Sequence, residues 1–157
     1  MITIIKGHFI YTEKPSEFSV YPNHYLVAED GIIEGLYDVL PEKYAGVPVQ
    51  DYGDRMIMPG CVDLHVHAPQ YSYRGLGMDM ELLEWLETNT FPEESKMKDI
   101  NYAKKSYSIF VENLRKSATT RACIFATVHR EATLLLMDML ENAGLCTMTG
   151  KVNMDRN

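Results

Sequence analysis

Short apolar runs separated by polar turns dominate the first third of the chain. Runs of strand length lie at 2–4, 9–11, 25–28, 32–36 and 47–52. The polar stretch 12–19, which contains Pro15, predicts a break in strand structure. Glu29-Asp30-Gly31 stands between two apolar runs, which is typical of a hairpin turn. We therefore expect residues 1–57 to form a small all-β domain, the N-terminal half of a composite sandwich.

The pattern changes after Pro59-Gly60, where strand-like runs begin to alternate with segments of helical period. Strands are predicted at 61–68, 119–128 and 145–152, and helices at 79–88, from Asp99 to about 114, and at 131–142. Such alternation favours a parallel sheet with helices outside it. The pattern alone fits either a doubly wound sheet or the first part of a (β/α)₈ barrel.

Individual residues mark the ends of these helices. Asp79 and Asp99 precede apolar periodic runs and are predicted N-caps, because a carboxylate accepts hydrogen bonds from the unpaired N–H groups of the first turn. Phe91-Pro92 is expected to end the first helix. Gly144 follows the last helix, where a C-terminal cap is expected.

Composition narrows the functional class. The 157 residues are 46% hydrophobic and 24% charged, which is typical of a globular protein. A net charge of −7 argues against nucleic-acid binding, which needs a basic face. No apolar run approaches the roughly 20 residues that span a bilayer, so we expect no membrane association. Three widely spaced cysteines without a CxxC pair suit the reducing cytoplasm.

The chemistry-bearing feature is His65-Val66-His67 at the end of the first strand after Pro59-Gly60. Alternate residues of a strand share a face, so the two imidazoles should lie side by side and could hold one metal ion. Asp63 precedes them as a possible partner on the same face. The other interpretation is a pair of structural histidines at a strand end. Likewise, Gln70 by spacing alone fits a solvated loop residue.

A resemblance to a known family favours the metal site. Pro-Gly-x-Val-Asp-x-His-x-His after a small β domain resembles the first barrel strand of the amidohydrolase superfamily. Further stretches resemble its guanine-deaminating members: His-Val-His-Ala-Pro-Gln-Tyr, Leu-Leu-Glu-Trp-Leu, Thr-Phe-Pro, and the runs 123–129 and 150–155. The resemblance covers nearly everything from Met58 onward and is thinner before it.

This resemblance implies a fold and a set of site residues. Residues 58–157 would form the first three βα units of a TIM-type (β/α)₈ barrel, an incomplete barrel that follows the domain at 1–57. His65 and His67 match two ligands of a zinc ion, although imidazole also accepts iron. Gln70 matches a residue that hydrogen-bonds the purine, a task that suits an amide with both a donor and an acceptor.

The implied activity is zinc-dependent hydrolysis of guanine to xanthine and ammonia by a complete cytoplasmic enzyme, expected to be a homodimer acting on a small purine. The remaining metal ligands and the acid/base carboxyl would come from the fifth, sixth and eighth strands. A (β/α)₈ barrel takes about 250 residues, so the chain is expected to be the N-terminal part of that enzyme, without its catalytic residues and inactive alone.

Two other functions stay open. One is a related aminohydrolase acting on an adenosine-like or triazine substrate, and Ala68-Pro69-Gln70-Tyr71 is the sequence that separates it from a guanine-specific enzyme. The other is an inactive fragment or assembly module. His129 near the end of the second strand is expected to have a structural or surface role rather than to face the pocket, whereas Asp155 and Asn157 are candidates for the pocket rim.

Overall fold

Four strands build the first unit, Met1–Pro59, in the computed structural model, which describes residues 1–154. They are β1 (Ile2–Lys14), β2 (Glu17–Glu29), β3 (Ile32–Tyr37) and β4 (Val49–Ile57). The sheet order is β3-β2-β1-β4, with β4 parallel to β1 and the other pairs antiparallel. A small core of Ile4, Val27 and Tyr44 lies against this sheet.

The predicted break over 12–19 is wrong. β1 runs on to Lys14 and β2 starts at Glu17, so a turn at Pro15-Ser16 is all that separates them. Proline is tolerated there because a turn residue donates no hydrogen bond to the strand ladder. Tyr11 stacks on Tyr21 across the two strands, with ring centroids 5.5 Å apart. This cross-strand aromatic pair stabilises an exposed hairpin arm. The polar sequence of the arm does not show the alternation typical of a strand.

The second unit begins at Gly60 and contains a parallel sheet of three strands. The strands are β5 (Cys61–His67), β6 (Thr119–Phe125) and β7 (Cys146–Gly150), and the helices are α1 (Leu82–Trp85), α2 (Phe91–Ser95), α3 (Ile100–Lys116) and α4 (Arg130–Asn142). The predicted parallel α/β arrangement is confirmed. Within residues 1–154 the sheet ends at β5 and β7 and does not close on itself.

The core of this unit lies between the sheet and its two long helices. Its fully buried members include Ala122 and Ile124 of β6, Tyr107 and Phe110 of α3, and Leu136 and Leu140 of α4. Asp99 caps α3 as predicted, because its Oδ1 accepts from the N–H of Asn101 at 2.9 Å. Gly144 takes the left-handed conformation after α4, with φ at 71°.

The helical segment between β5 and α3 differs from the prediction at both ends. α1 begins after Glu81 rather than after Asp79, and the chain continues through a π-helical turn, Leu86–Thr90, into α2. Pro92 therefore does not end the helical segment. It lies at the start of α2, directly after the π-helical turn, and the segment continues past a residue that has no N–H to donate.

No helix within residues 1–154 combines the length and the apolar character needed to cross a membrane. The longest, α3, has 17 residues and carries basic side chains in its last turn.

We expect Gly60→Ala to destabilise the second unit. A Cβ at this position would lie 2.1 Å from Cγ2 and 2.8 Å from Cβ of Thr120, so no rotamer of Thr120 relieves the overlap and the starts of β5 and β6 must move apart. The expected loss in free energy of unfolding is about 1–3 kcal/mol. Denaturant unfolding of the full-length protein measures it. Gly150→Ala is the matched control, because a Cβ there meets no atom within 4 Å. Equal effects at the two glycines would contradict this explanation.

Candidate metal centre and substrate contact

The structure brings His65 and His67 together at the end of β5. β5 pairs with β6 from Asp63 opposite Ala122 to Val66 opposite Ile124, so three residue steps on β5 stand against two on β6. This is a β-bulge, a feature that redirects side chains next to functional sites. The two Nε2 atoms are 3.1 Å apart. The predicted side-by-side placement is therefore present, although it rests on a bulge as well as on simple alternation.

The ring of Phe125 in β6 lies beside both imidazoles. Its ring is stacked on that of His67 at 4.9 Å and tilted against that of His65 at 4.5 Å. Burial, followed by the charge of His65, lowers the pKa of His67 below its ordinary value. His67 is therefore neutral at pH 7, which is the protonation state that binds a metal ion.

Asp63 supports the backbone of this site. Its Oδ1 accepts a hydrogen bond from the N–H of His65 at 3.0 Å. A bulge leaves backbone groups without their usual ladder partner, and a short carboxylate supplies one. The sequence predicted a partner for an imidazole, whereas the contact in the structure is to the main chain.

The two histidines fit a shared metal ion in chemistry and in distance. Zinc binds imidazole nitrogen at about 2.0–2.1 Å, so two nitrogens on one ion lie no more than about 4.2 Å apart. The observed 3.1 Å satisfies this limit. Within residues 1–154, no set of three or more His, Cys, Asp or Glu side chains is placed to hold a metal. A catalytic zinc commonly has three protein ligands, so the two histidines alone would be too few for such a site.

Gln70 lies in the 3₁₀ turn Pro69–Tyr73 that follows β5. The turn is fixed to the end of β6 because the N–H of Ala68 donates to the carbonyl of Phe125 at 3.0 Å. The side-chain Nε2 of Gln70 donates to Oε1 of Glu94 in α2 at 3.4 Å. Burial raises the pKa of Glu94, and the Gln70 hydrogen bond opposes that rise.

Glu94 is not among the site residues predicted from the sequence. It is 24 residues away from Gln70, and no motif connects the two. The π-helical turn before α2 sets its position, and the predicted helix end at Phe91-Pro92 excluded a continuation to this residue. A signal was present in principle, because Pro92 followed by two glutamates is typical of a first helical turn.

The other loop and strand-end residues have structural contacts. The guanidinium of Arg74 lies 4.0 Å over the ring of Tyr71 and donates to the Tyr71 carbonyl at 2.7 Å. The His129 carbonyl accepts from both the N–H and the hydroxyl of Thr133 in α4, whereas its side-chain Nε2 is buried with no hydrogen-bond partner among the described residues, so the role of this imidazole stays a prediction. The candidates Asp155 and Asn157 lie outside the described residues.

Comparison with known proteins identifies the family. Residues 56–157, which include the whole of the second unit, match the amidohydrolase family. The chain belongs to the amidohydrolase family.

Several guanine deaminases of this family resemble the chain over nearly its whole length. Guanine deaminase from Dictyostelium discoideum is 35% identical over 99% of this chain, which spans 38% of that protein. The enzyme from Rattus norvegicus is 41% identical over 98% of the chain, which spans 36% of it. The crystal structure of guanine deaminase from C. acetobutylicum with bound guanine is 44% identical, with a TM-score of 0.96 over 100% of this chain and 38% of that one. The chain thus spans little more than a third of the length of these relatives.

We expect His65→Ala and His67→Ala each to remove bound zinc from the full-length protein. Each substitution deletes one of two nitrogens placed 3.1 Å apart. Zinc content per polypeptide after dialysis, measured by inductively coupled plasma mass spectrometry, tests this. His24→Ala, in the first unit, is the control and should keep the zinc content of the unmodified protein. Full zinc retention in both strand variants would contradict the assignment.

Asp63 should affect metal binding through the backbone alone. Asp63→Ala removes the acceptor for the His65 N–H and should weaken zinc affinity about 10–100-fold. Asp63→Asn keeps an acceptor oxygen and should lose much less. Competition with a chromophoric chelator measures both. Equal losses in the two variants would show that the charge of Asp63, rather than its hydrogen bond, matters.

Proposed function

We propose that this chain supplies the first metal-ligand strand of an enzyme that hydrolyses guanine to xanthine and ammonia with zinc. The observation that carries the proposal is the pair of Nε2 atoms 3.1 Å apart at the carboxyl end of a parallel strand, in a chain 44% identical to a guanine deaminase solved with guanine bound. Enzymes built on parallel βα units collect their functional groups at this end of the strands.

The proposed architecture follows from the same comparison. Residues 58–157 form the first three βα units of a (β/α)₈ barrel, and residues 1–57 form half of a sandwich domain. β5, β6 and β7 are parallel and in sequence order, as consecutive barrel strands are. The complete enzyme acts in the cytoplasm as a homodimer, and the three free cysteines suit a reducing compartment.

His65 and His67 hold the metal through their Nε2 atoms. Zinc, or iron in its place, supplies Lewis acidity when bound and so activates water near neutral pH. Phe125 keeps both rings in position, since its own ring contacts each of them. Partial burial of His67 keeps that ligand neutral and ready for the metal.

Gln70 orients the purine next to this centre. Its side chain offers an acceptor oxygen and a donor nitrogen, which match the mixed donor and acceptor edge of guanine. In the reaction a C–O bond forms at C2 and the C2–N bond breaks. One proton of the attacking water ends on ring nitrogen N3 of xanthine, and the other moves to the departing amine, giving ammonia. The carboxyl group that transfers this proton and the remaining metal ligands belong to the complete enzyme.

A second function is considered for the 157-residue chain by itself. No complete metal-ligand set is found within residues 1–154, which favours a folded but inactive module for the isolated 157-residue chain. The enzymatic alternative, an aminohydrolase for adenosine-like or triazine compounds, shares the histidine pair. It differs in the recognition segment Ala68-Pro69-Gln70-Tyr71, because other substrates present other hydrogen-bonding edges.

Substrate turnover by the full-length protein tests the proposed function. We expect kcat/KM for guanine to exceed that for adenosine and for an amino-substituted triazine by at least about 100-fold, because a site built to pair with a substrate N–H rejects compounds lacking it. We also expect the isolated 157 residues to show no turnover. A better substrate than guanine in this panel would reject the assignment to guanine. Turnover by the isolated chain would reject the proposal that these 157 residues lack part of the catalytic site.

A further inference from the structure

The contact between Gln70 and Glu94 joins the proposed substrate residue to a second element of the fold. Gln70 Nε2 lies 3.4 Å from Glu94 Oε1, although one residue follows β5 and the other belongs to α2. Among the ion pairs of residues 1–154, none includes Glu94, whereas the adjacent Glu93 pairs with Lys96 and accepts from Tyr102. The two neighbouring carboxylates therefore have different partners.

The charge of Glu94 acts on two tyrosines of the second unit. Burial raises the pKa of the Tyr107 hydroxyl, and the charge of Glu94 adds to that rise. The same two effects act on Tyr73, where burial is again the larger. Both tyrosines are buried and Glu94 itself is partly buried, so its carboxylate lies at the edge of the packed interior. Within residues 1–154 the one side-chain hydrogen-bond donor to this carboxylate is the Gln70 amide.

The chemistry of the two groups decides which end of the amide faces Glu94. An ionised carboxylate has acceptors and no donor, so the Gln70 group next to it must be the NH₂. The carbonyl Oε1 of Gln70 is then directed away from Glu94. Without such a partner the amide rotates freely between two orientations, which exchange a donor for an acceptor at the same place.

We propose that Glu94 is a positioning residue that holds the Gln70 amide with its carbonyl oxygen toward the substrate, so that the site selects a purine N–H donor. The inference rests on the proposed function, since it describes how Gln70 recognises guanine. Glu94 acts through Gln70 and does not itself contact the base. Its contribution therefore depends on Gln70 being present.

A double-mutant cycle in the full-length metal-loaded enzyme tests this dependence. The variants are Glu94→Gln, Gln70→Ala and the pair together, with guanine as substrate. Glu94→Gln keeps the size of the side chain but can either donate or accept, so it no longer fixes the amide. We expect KM for guanine to rise about tenfold and kcat to change less than about threefold. In the Gln70→Ala background the same change should have no further effect on KM.

Glu93→Gln is the matched control, because it removes the neighbouring carboxylate from contacts with Lys96 and Tyr102 instead. It should leave KM for guanine near that of the unmodified enzyme. The thermal unfolding midpoint of every variant is measured in parallel. If Glu94→Gln does not fold, Glu94→Met replaces it in the cycle with the same expectation, since it has a similar length and no fixed acceptor.

The outcomes separate this inference from the function on which it rests. Suppose that the unmodified enzyme turns over guanine but Glu94→Gln still raises KM in the Gln70→Ala background. That result overturns the positioning role and leaves the proposed function in place. A comparable rise in KM for Glu93→Gln does the same. Absence of guanine turnover by the unmodified enzyme rejects the proposed function and this inference together.

Discussion

β5 pairs in parallel with β6 through a bulge between Asp63 and Val66, and this pairing sets the position of both histidines. The Asp63 carboxylate satisfies the His65 N–H within the bulge, and Phe125 on the neighbouring strand contacts both imidazole rings. The hydrogen bond from Ala68 to Phe125 then fixes where the strand ends and the turn with Gln70 begins. A slip of one residue in this register would move the histidines to the opposite side of the sheet.

The second constraint is the course of the helical segment between Leu82 and Ser95. A π-helical turn inserted before Pro92 lets the segment continue where a regular helix would clash with the proline ring. Glu94 consequently reaches the turn after β5 and meets Gln70 there. π-Helical turns are rare and occur frequently at functional sites, which agrees with the position of this one beside the proposed substrate contact.

The sequence predicted those features that depend on local pattern. The alternation of strands and helices, the Asp99 cap and the proximity of the two histidines each follow from spacing of two or of three to four residues. Other features depend on partners distant in sequence. The hairpin arm around Pro15 is held by the stacking of Tyr11 on Tyr21, and the role of Glu94 requires a turn that brings α2 back to Gln70. Neither partner is marked by periodicity, so single-sequence reasoning missed both.

We propose that His65 and His67 bind one metal ion in an enzyme that deaminates guanine. The most direct test is a crystal structure of the full-length protein with anomalous diffraction data collected on both sides of the zinc absorption edge. We expect one anomalous peak within about 2.0–2.1 Å of Nε2 of both histidines. A metal bound elsewhere, with the two imidazoles hydrogen-bonded to each other or to protein groups alone, would contradict it.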